Sequence, residues 1–268
     1  MGRESVCQPA AVTNRMGAIL LKRFVKLAAV AALCLLLAAC GGSSPASADT
    51  SAAGPAGAAS SSEAAAPSAS ESAQASAAQA PPAGTWQGNV YTNTWTGLTF
   101  TLPKGWRPLT AEEIGKVLGA GANYLSDAVP GLDGETYSAF IGNTDYYDFY
   151  TASSDGMASF FLDVYDPVAA GVPGVTAEQY LQSVSQLLSS VKGLKVEAGQ
   201  IEDDEFCGHP CKSLNLTMSA ADGSTSPATQ AYSVFQCGHY LLCYCASAKT
   251  SDTASQVLEL LNSCKSIG

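Results

Sequence analysis

The sequence predicts an α+β fold over residues 85–268, in which an antiparallel sheet is covered by helices. Segments that alternate between apolar and polar residues recur along this part of the chain, as half-buried strands do. Short turns join most consecutive segments, which favours antiparallel pairing of neighbouring strands. Two capping boxes each begin a stretch whose apolar residues have helical spacing, and the resulting element order is ββ-α-ββ-α-ββββ-α.

The first half of this domain is predicted to contain two hairpins with a helix between them. Residues 89–93 and 98–102 alternate like strands, and a turn that ends at Gly97 joins them. Thr110 and Glu113 form the first capping box, which begins a helix interrupted by several glycines. The second hairpin has its strands at residues 145–152 and 157–166.

The second half is predicted to contain a helix, four strands and a final helix. Thr176 and Gln179 form the second capping box, and the apolar helical face that follows ends before Gly193. The four strands are predicted at residues 194–206, 211–218, 228–237 and 240–248. The final helix, at 252–264, carries on one face Val257, Leu258, Leu261 and Cys264.

Residues 1–39 have the layout of an export signal. A basic segment at 22–26 precedes an apolar run at 27–37 that is too short to span a bilayer. The tetrad Leu-Ala-Ala-Cys that ends at Cys40 resembles the lipobox of bacterial lipoproteins. That resemblance implies cleavage before Cys40, attachment of diacylglycerol to its thiol and acylation of its new amine, for example with palmitate. Because two or more acyl chains anchor a protein stably, we expect a lipid-anchored protein on the extracytoplasmic face of the cell membrane.

Residues 40–84 are predicted to form a disordered tether between the lipidated cysteine and the folded domain. Ala, Ser, Gly and Pro make up nearly all of this segment, and Gly41 to Gly84 includes no Leu, Ile, Val, Met or aromatic residue. Such a segment buries too little apolar surface to offset its loss of conformational entropy. A flexible coil of this length reaches about 35–40 Å, which would hold the domain away from the membrane.

The folded part opens with the motif Tyr91-Thr-Asn-Thr-Trp-Thr-Gly97-Leu-Thr-Phe100-Thr-Leu-Pro103-Lys-Gly105-Trp106. This motif, together with the order of elements over 85–268, resembles bacterial PsbP-like lipoproteins. The resemblance implies an α/β/α sandwich in which a first hairpin is followed by a capped helix. It implies no reaction, because the PsbP-like proteins share no catalytic set. The six cysteines after residue 206 depart from the pattern of that family.

Charge and motif content narrow the function classes. Residues 85–268 contain 8 Lys and Arg against 19 Asp and Glu, so nucleic acid is an unfavourable partner. The sequence contains no G-x-S-x-G, P-loop or H-E-x-x-H motif, which favours a binding protein over an enzyme. We therefore expect a tethered binding or interaction module without a cofactor, whose ligand is an envelope protein or a glycan.

The six cysteines of the domain predict disulfides, because their number is even and the chain carries an export signal. Predicted hairpin registers place Cys207, Cys211 and Cys237 on one face of the sheet. The other face receives Cys243 and Cys245, and Cys264 of the final helix is expected beside them. The predicted bridges are Cys211–Cys237 or Cys207–Cys211, and Cys245–Cys264 or Cys243–Cys264.

An alternative prediction is a zinc-binding or redox-active protein centred on two Cys-Gly-His turns. The two histidines of the chain lie in these turns, and a zinc set could be drawn from Cys207, His209, Cys211, Cys237 and His239. Redox activity is disfavoured, because the four carboxylates at 202–205 would raise the pKa of a neighbouring thiol. The spacing of three residues between the first two cysteines and the expected export also favour disulfides over zinc.

A run of aromatic residues in the second hairpin is a candidate binding surface for a glycan or peptide. On an unbroken strand Tyr146 and Tyr150 share one face, while Tyr147 and Phe149 share the other. One pair is expected in the core, and the other pair is then free to contact a ligand.

Overall fold

The structure is a computed structural model that describes residues 81–128 and 144–267. The predicted export signal, Cys40 and the part of the predicted tether before residue 81 lie outside the described residues. Within the two described ranges, no helix combines the length and the apolar character needed to cross a membrane.

The strands form two antiparallel sheets. The smaller sheet contains, in spatial order, β1 (Thr85–Gln87), β2 (Val90–Asn93), β3 (Leu98–Thr101) and β12 (Lys265–Ser266). The larger sheet contains, in spatial order, β4 (Trp106–Pro108), β5 (Asp145–Ser153), β6 (Ala158–Tyr165), β11 (Tyr240–Ala248), β10 (Ala228–Cys237), β9 (His209–Ala220) and β7 (Leu194–Ala198). A further strand, β8 (Glu202–Phe206), pairs with the first half of β9, while β7 pairs with the second half.

Threonine residues cap the three helices of the described chain, which are α1 (Ala111–Ala128), α2 (Ala177–Ser190) and α3 (Ser251–Ser263). The side chains of Thr110, Thr176 and Thr250 each accept a hydrogen bond from the backbone N–H three residues later. The helices α1 and α2 pack on one face of the larger sheet. The opposite face is covered by α3 and the smaller sheet, so the domain has a layered α/β/α arrangement.

Each face of the larger sheet has its own core. The core beneath α2, here called the helix-side core, includes Tyr150, Phe161, Tyr180, Leu214 and Tyr232. The core beneath the smaller sheet and α3, here called the hairpin-side core, includes Tyr91, Phe100, Phe149, Phe160 and Tyr244. Because both faces are covered, strand β6 is buried at every position, as the unbroken apolar run around Phe160 suggests.

The predicted α+β fold is confirmed, with an antiparallel sheet between helices. The strand predicted at 194–206 is instead divided into β7 and β8 around Gly199, whose N–H donates to the carbonyl of Asn215 at 2.8 Å. A Cβ at Gly199 would lie 3.2 Å from that carbonyl oxygen, so the close approach favours glycine. The short strands β1, β4 and β12 were not predicted, because two or three residues are too few to show alternation.

The predicted register is correct for one hairpin and shifted for two others. Tyr232 lies opposite Cys245 across β10 and β11, as predicted. Tyr232 also lies opposite Leu214 rather than Leu216 across β9 and β10, a shift of two residues that leaves the faces unchanged. The β8–β9 turn is shorter than predicted and consists of Cys207 and Gly208, whose φ values of 53° and 86° suit a tight hairpin.

A β-bulge in β5 corrects the faces predicted for its aromatic residues. The pairing with β6 shifts between Tyr147 and Phe149, so Asp148 is an additional residue on this strand. As a result, Tyr146 and Phe149 face the hairpin-side core, while Tyr147 and Tyr150 face the helix-side core. The prediction that Tyr146 shares a face with Tyr150 is therefore wrong.

The bulge residue Asp148 joins β5 to the smaller sheet and to the chain that precedes it. Its carboxylate accepts hydrogen bonds from the backbone N–H of Gly84 at 2.8 Å, from Asn93 Nδ2 at 2.8 Å and from the Tyr91 hydroxyl. The Tyr146 hydroxyl adds a fourth, longer bond at 3.3 Å. Only glycine fits at position 84, because a Cβ there would lie 2.2 Å from the Tyr91 ring. We call this arrangement the Asp148 hub.

Candidate functional site

Three turns of the domain meet at one end of the larger sheet, which we call the turn end. They are the β2–β3 turn with Trp95, the β8–β9 turn with Cys207, and the β10–β11 turn with His239. The two Cys-Gly-His turns share this end because β9 begins where its antiparallel neighbour β10 finishes. The β2–β3 turn joins them across the sheets, since the rings of Trp95 and Tyr240 are 5.7 Å apart.

The β2–β3 turn is fixed by the side chain of Asn93. Its Oδ1 accepts hydrogen bonds from the backbone N–H groups of Trp95 at 2.8 Å and Thr96 at 3.1 Å, while its Nδ2 donates to Asp148. This is an Asx turn, in which a short side chain substitutes for a backbone acceptor. The position of Trp95 therefore depends on the Asp148 hub through a single buried asparagine.

Half-exposed aromatic rings form the surface of the turn end. Trp95 and Tyr240 are partly buried, and their rings meet edge to face at 85°. The His239 side chain is 45% exposed, and its ring centre lies 3.9 Å from that of Tyr240. Burial, followed by the charge of Asp166, raises the pKa of Tyr240, so its hydroxyl stays protonated at neutral pH.

The carboxylate of Asp166 lies beside the His239 ring. Asp166 follows β6, and its Oδ1 accepts hydrogen bonds from the backbone N–H groups of Val168 at 2.8 Å and Ala169 at 3.0 Å. Its Oδ2 lies 3.7 Å from Nε2 of His239. The turn end therefore offers ring faces, an imidazole and an oriented carboxylate within one small surface.

The other histidine has a different environment. His209 stacks on Phe235 with ring centres 5.1 Å apart and planes 3° from parallel. Its Nε2 is buried and has no hydrogen-bond partner among the described residues. His209 thus packs against the hairpin-side core, whereas His239 lies on the outer surface of the turn end.

The disulfide of the described chain joins Cys207 to Cys264, with Cα atoms 5.7 Å apart, and this pairing differs from the predicted bridges. The predicted faces are correct for Cys207, Cys211 and Cys237 on the hairpin side and for Cys243 and Cys245 on the helix side. The predicted side of Cys264 is wrong, because α3 packs on the hairpin side of the sheet.

In the part of the chain that the structure describes, four cysteines remain as thiols, and their surroundings disfavour the thiolate form. Burial raises the pKa of Cys211 to about 11, with a further contribution from Asp204, and raises that of Cys245 to about 12. Burial also raises the pKa of Cys237 and Cys243. Because the thiolate is the nucleophile and the metal-binding form, these thiols are poorly suited to disulfide exchange at neutral pH.

The structure does not arrange the five candidate zinc ligands as one metal-binding group. Cys207 is committed to its disulfide, and Cys211 is buried while His239 is exposed. Over residues 81–128 and 144–267, no group of three or more His, Cys, Asp or Glu side chains is arranged to hold a metal ion.

The aromatic side chains of β5 do not share faces in the pairs that were predicted. Phe149 and Tyr150 are buried, while Tyr146 and Tyr147 are half-buried against opposite cores. Neither predicted pair forms an exposed face. Partly exposed aromatic rings that lie side by side are found at the turn end, where sequence reasoning overlooked Trp95, Asp166 and Tyr240. A tryptophan within a strand-connecting turn was the available signal for Trp95.

Comparisons with known proteins found distant structural similarities. No family model and no curated protein matches the chain. The solution structure of cyanobacterial PsbP (CyanoP) from Synechocystis is 13% identical with a TM-score of 0.40, covering 66% of this chain and 91% of that one. A crystal structure from Bacteroides thetaiotaomicron is 10% identical with a TM-score of 0.31, covering 68% of this chain and 49% of that one. LpqN of Mycobacterium tuberculosis, which is involved in cell envelope biogenesis, is 13% identical with a TM-score of 0.33, covering 63% and 82%. These TM-scores are too low to support a conclusion about family or function.

Proposed function

We propose that this protein is a bacterial envelope lipoprotein whose folded domain is a tethered binding module on the extracytoplasmic side of the membrane. The export signal, the lipobox at Cys40 and the Ala/Ser-rich segment support the anchoring part of this proposal. The Cys207–Cys264 disulfide supports an extracytoplasmic location, because disulfides persist in oxidising compartments.

The contact surface of the module is the turn end, and its ligand is an uncharged glycan of the envelope. The observation that carries this assignment is the half-exposed ring cluster of Trp95, Tyr240 and His239 beside the Asp166 carboxylate. Ring faces cover the apolar faces of a sugar, while the Tyr hydroxyl, imidazole and carboxylate form hydrogen bonds with its hydroxyls. Because the domain has a large excess of negative charge, it repels an anionic ligand, and we therefore propose an uncharged one.

We expect Trp95→Ala to weaken glycan binding at least about tenfold, because large aromatic residues dominate binding surfaces of this kind. Isothermal titration of residues 81–267 with uncharged N-acetylhexosamine oligosaccharides measures the affinity. Trp95→Phe, which keeps a ring, should retain part of the affinity. Val168→Ala is the matched control, because it shortens a side chain that is 56% exposed and keeps the backbone N–H that donates to Asp166. Absence of binding by the wild type, or equal affinities for Trp95→Ala and the wild type, would refute the glycan assignment.

We expect Cys40→Ser to move the protein from the membrane fraction to the soluble extracytoplasmic fraction, because the lipid-accepting thiol is lost. Fractionation of cells and incorporation of labelled palmitate measure the change. Cys34→Ser is the matched control, because Cys34 lies in the apolar run of the signal and is removed with it. A Cys40→Ser protein that still carries label and sediments with membranes would contradict the proposed anchor.

A further inference from the structure

Two carboxyl groups lie at the helix-side core, with Asp163 buried and Asp145 partly exposed. Asp163 is 2% exposed and is the one charged residue in strand β6. Asp145 begins β5 and lies directly opposite Tyr165, while Asp163 lies opposite Tyr147. The two aspartates are therefore diagonal neighbours on one face of the sheet, and their carboxyl groups interact electrostatically. We call them the carboxyl pair.

One oxygen of each carboxyl group has a donor, and the other has none. The Tyr180 hydroxyl of α2 donates to Asp163 Oδ2 at 3.0 Å, and the Thr144 hydroxyl donates to Asp145 Oδ2 at 2.6 Å. The two Oδ1 atoms are buried, and no donor of the described residues reaches either of them. A proton held between the two carboxyl groups satisfies both of these acceptors at once.

Among the residues that the structure describes, no positively charged side chain is found to act on the carboxyl pair. The ionisable groups that interact with it are Tyr165 on β6, Tyr180 on α2, and Cys243 and Cys245 on β11. None of these side chains carries a positive charge at neutral pH. The basic side chains of Arg107, Lys116, Lys195 and Lys212 bind carboxylates elsewhere, and His239 lies beside Asp166. The sequence between residues 129 and 143 contains no Lys, Arg or His.

Protonation of the pair is linked to folding. Burial raises the pKa of Asp163 to about 7, and burial together with the neighbouring Asp163 raises the pKa of Asp145 well above its usual value. Both pKa values are thus higher in the folded than in the unfolded chain, so the folded state binds more protons. This contribution to stability is complete below about pH 4, the unfolded pKa, and is lost as the pH rises through the folded values.

We propose that the carboxyl pair is a proton-dependent switch that holds α2 on the sheet. When both carboxyl groups are protonated, the pair is uncharged, and Asp163 accepts a hydrogen bond from the Tyr180 hydroxyl. When protons leave to solvent at neutral to mildly alkaline pH, negative charge develops in a core that offers no cation. The region that responds is α2 with the start of β5, whereas α3 packs on the opposite face of the sheet.

Hydrogen exchange of α2 amides between pH 5.5 and pH 8.5, corrected for intrinsic exchange, tests this switch in the 81–267 domain. We expect wild-type protection of α2 to fall about tenfold or more over this range, which corresponds to one unit or more of pKa difference. The α3 amides should change much less. Asp163→Asn keeps the shape without the charge and should clearly reduce the pH response, because only Asp145 then titrates, while Glu259→Gln, an exposed control on α3, should leave it unchanged.

A second measurement needs no variant. The carboxyl carbon resonance of Asp163 should titrate near pH 7 in the wild-type domain, and that of Asp145 should titrate well above those of exposed aspartates. Titration of both carboxyl groups near pH 4 would overturn the proposal. So would α2 protection that does not depend on pH, or an equal pH response in Asp163→Asn.

Discussion

We expect Cys264→Ser to lower the free energy of unfolding of the domain by about 4 kcal/mol. Cys264 follows the last turn of α3 and is bonded to Cys207 in the β8–β9 turn, 57 residues earlier in the sequence. A cross-link over a loop of this length restricts the unfolded chain, and its entropy change corresponds to about 4 kcal/mol. Guanidinium chloride unfolding under non-reducing conditions measures the loss.

Three comparisons show whether the disulfide itself is responsible. Cys207→Ser should cost about as much as Cys264→Ser, and the double variant should cost little more than either, because one bond is removed in each case. Cys237→Ser keeps the disulfide and changes a half-buried thiol, so its effect should be small. A reductant should lower the stability of the wild type towards that of the variants. Equal stability of Cys264→Ser and the wild type would contradict the expected role.

The disulfide also bears on the proposed binding surface. Beyond Cys264, β12 pairs with β3, and the backbone N–H of Ile267 donates to the carbonyl of Gly97 at 2.7 Å. Gly97 ends the turn that carries Trp95. Loss of the disulfide should therefore loosen the turn end as well as the global fold, and weaker glycan binding by the folded Cys264→Ser variant is the expected consequence.

Local patterns predicted the elements of the fold well. The capping boxes at Thr110 and Thr176 involve residues three positions apart, so a sequence shows them directly. The β10–β11 register was correct because a two-residue turn at Gly238 and His239 leaves little choice of pairing. These features depend on neighbours in the sequence, and no distant contact is needed to recognise them.

The predicted faces and the predicted disulfides were wrong where a contact between residues far apart in the sequence determines the structure. An antiparallel sheet accepts a helix on either face, so the pattern of α3 could not show that Cys264 lies with Cys207 rather than with Cys245. The bulge at Asp148 exists because its carboxylate reaches the smaller sheet, and one inserted residue reverses the faces of the aromatic residues on either side.

The turn end was predicted only in part. The two Cys-Gly-His turns were placed together correctly, because strand order alone brings them to one end of the sheet. Trp95 joins them through contact between the two sheets, which no periodicity reveals. The carboxyl pair was also overlooked, although a lone Asp163 within a mostly apolar strand is a visible departure from the pattern.

We expect Asp148→Ala to lower the free energy of unfolding by about 3 kcal/mol, because it leaves buried donors without an acceptor. Tyr91 and Asn93 are buried and both donate to Asp148, as does the backbone N–H of Gly84. Burial and the Asp148 charge raise the pKa of Tyr91, so its hydroxyl remains a donor at all ordinary pH values and cannot adapt by ionising. Denaturant unfolding measures the change.

Control variants distinguish the loss of the hydrogen bonds of the Asp148 hub from a general effect of removing a negative charge. Glu259→Ala removes an exposed carboxylate from α3 and should change stability little. Asp148→Asn keeps one acceptor oxygen and should cost less than Asp148→Ala. Because Asn93 also holds the turn that carries Trp95, Asp148→Ala should weaken glycan binding in parallel. A stable Asp148→Ala protein with full affinity would show that neither the bulge nor Asn93 depends on this carboxylate.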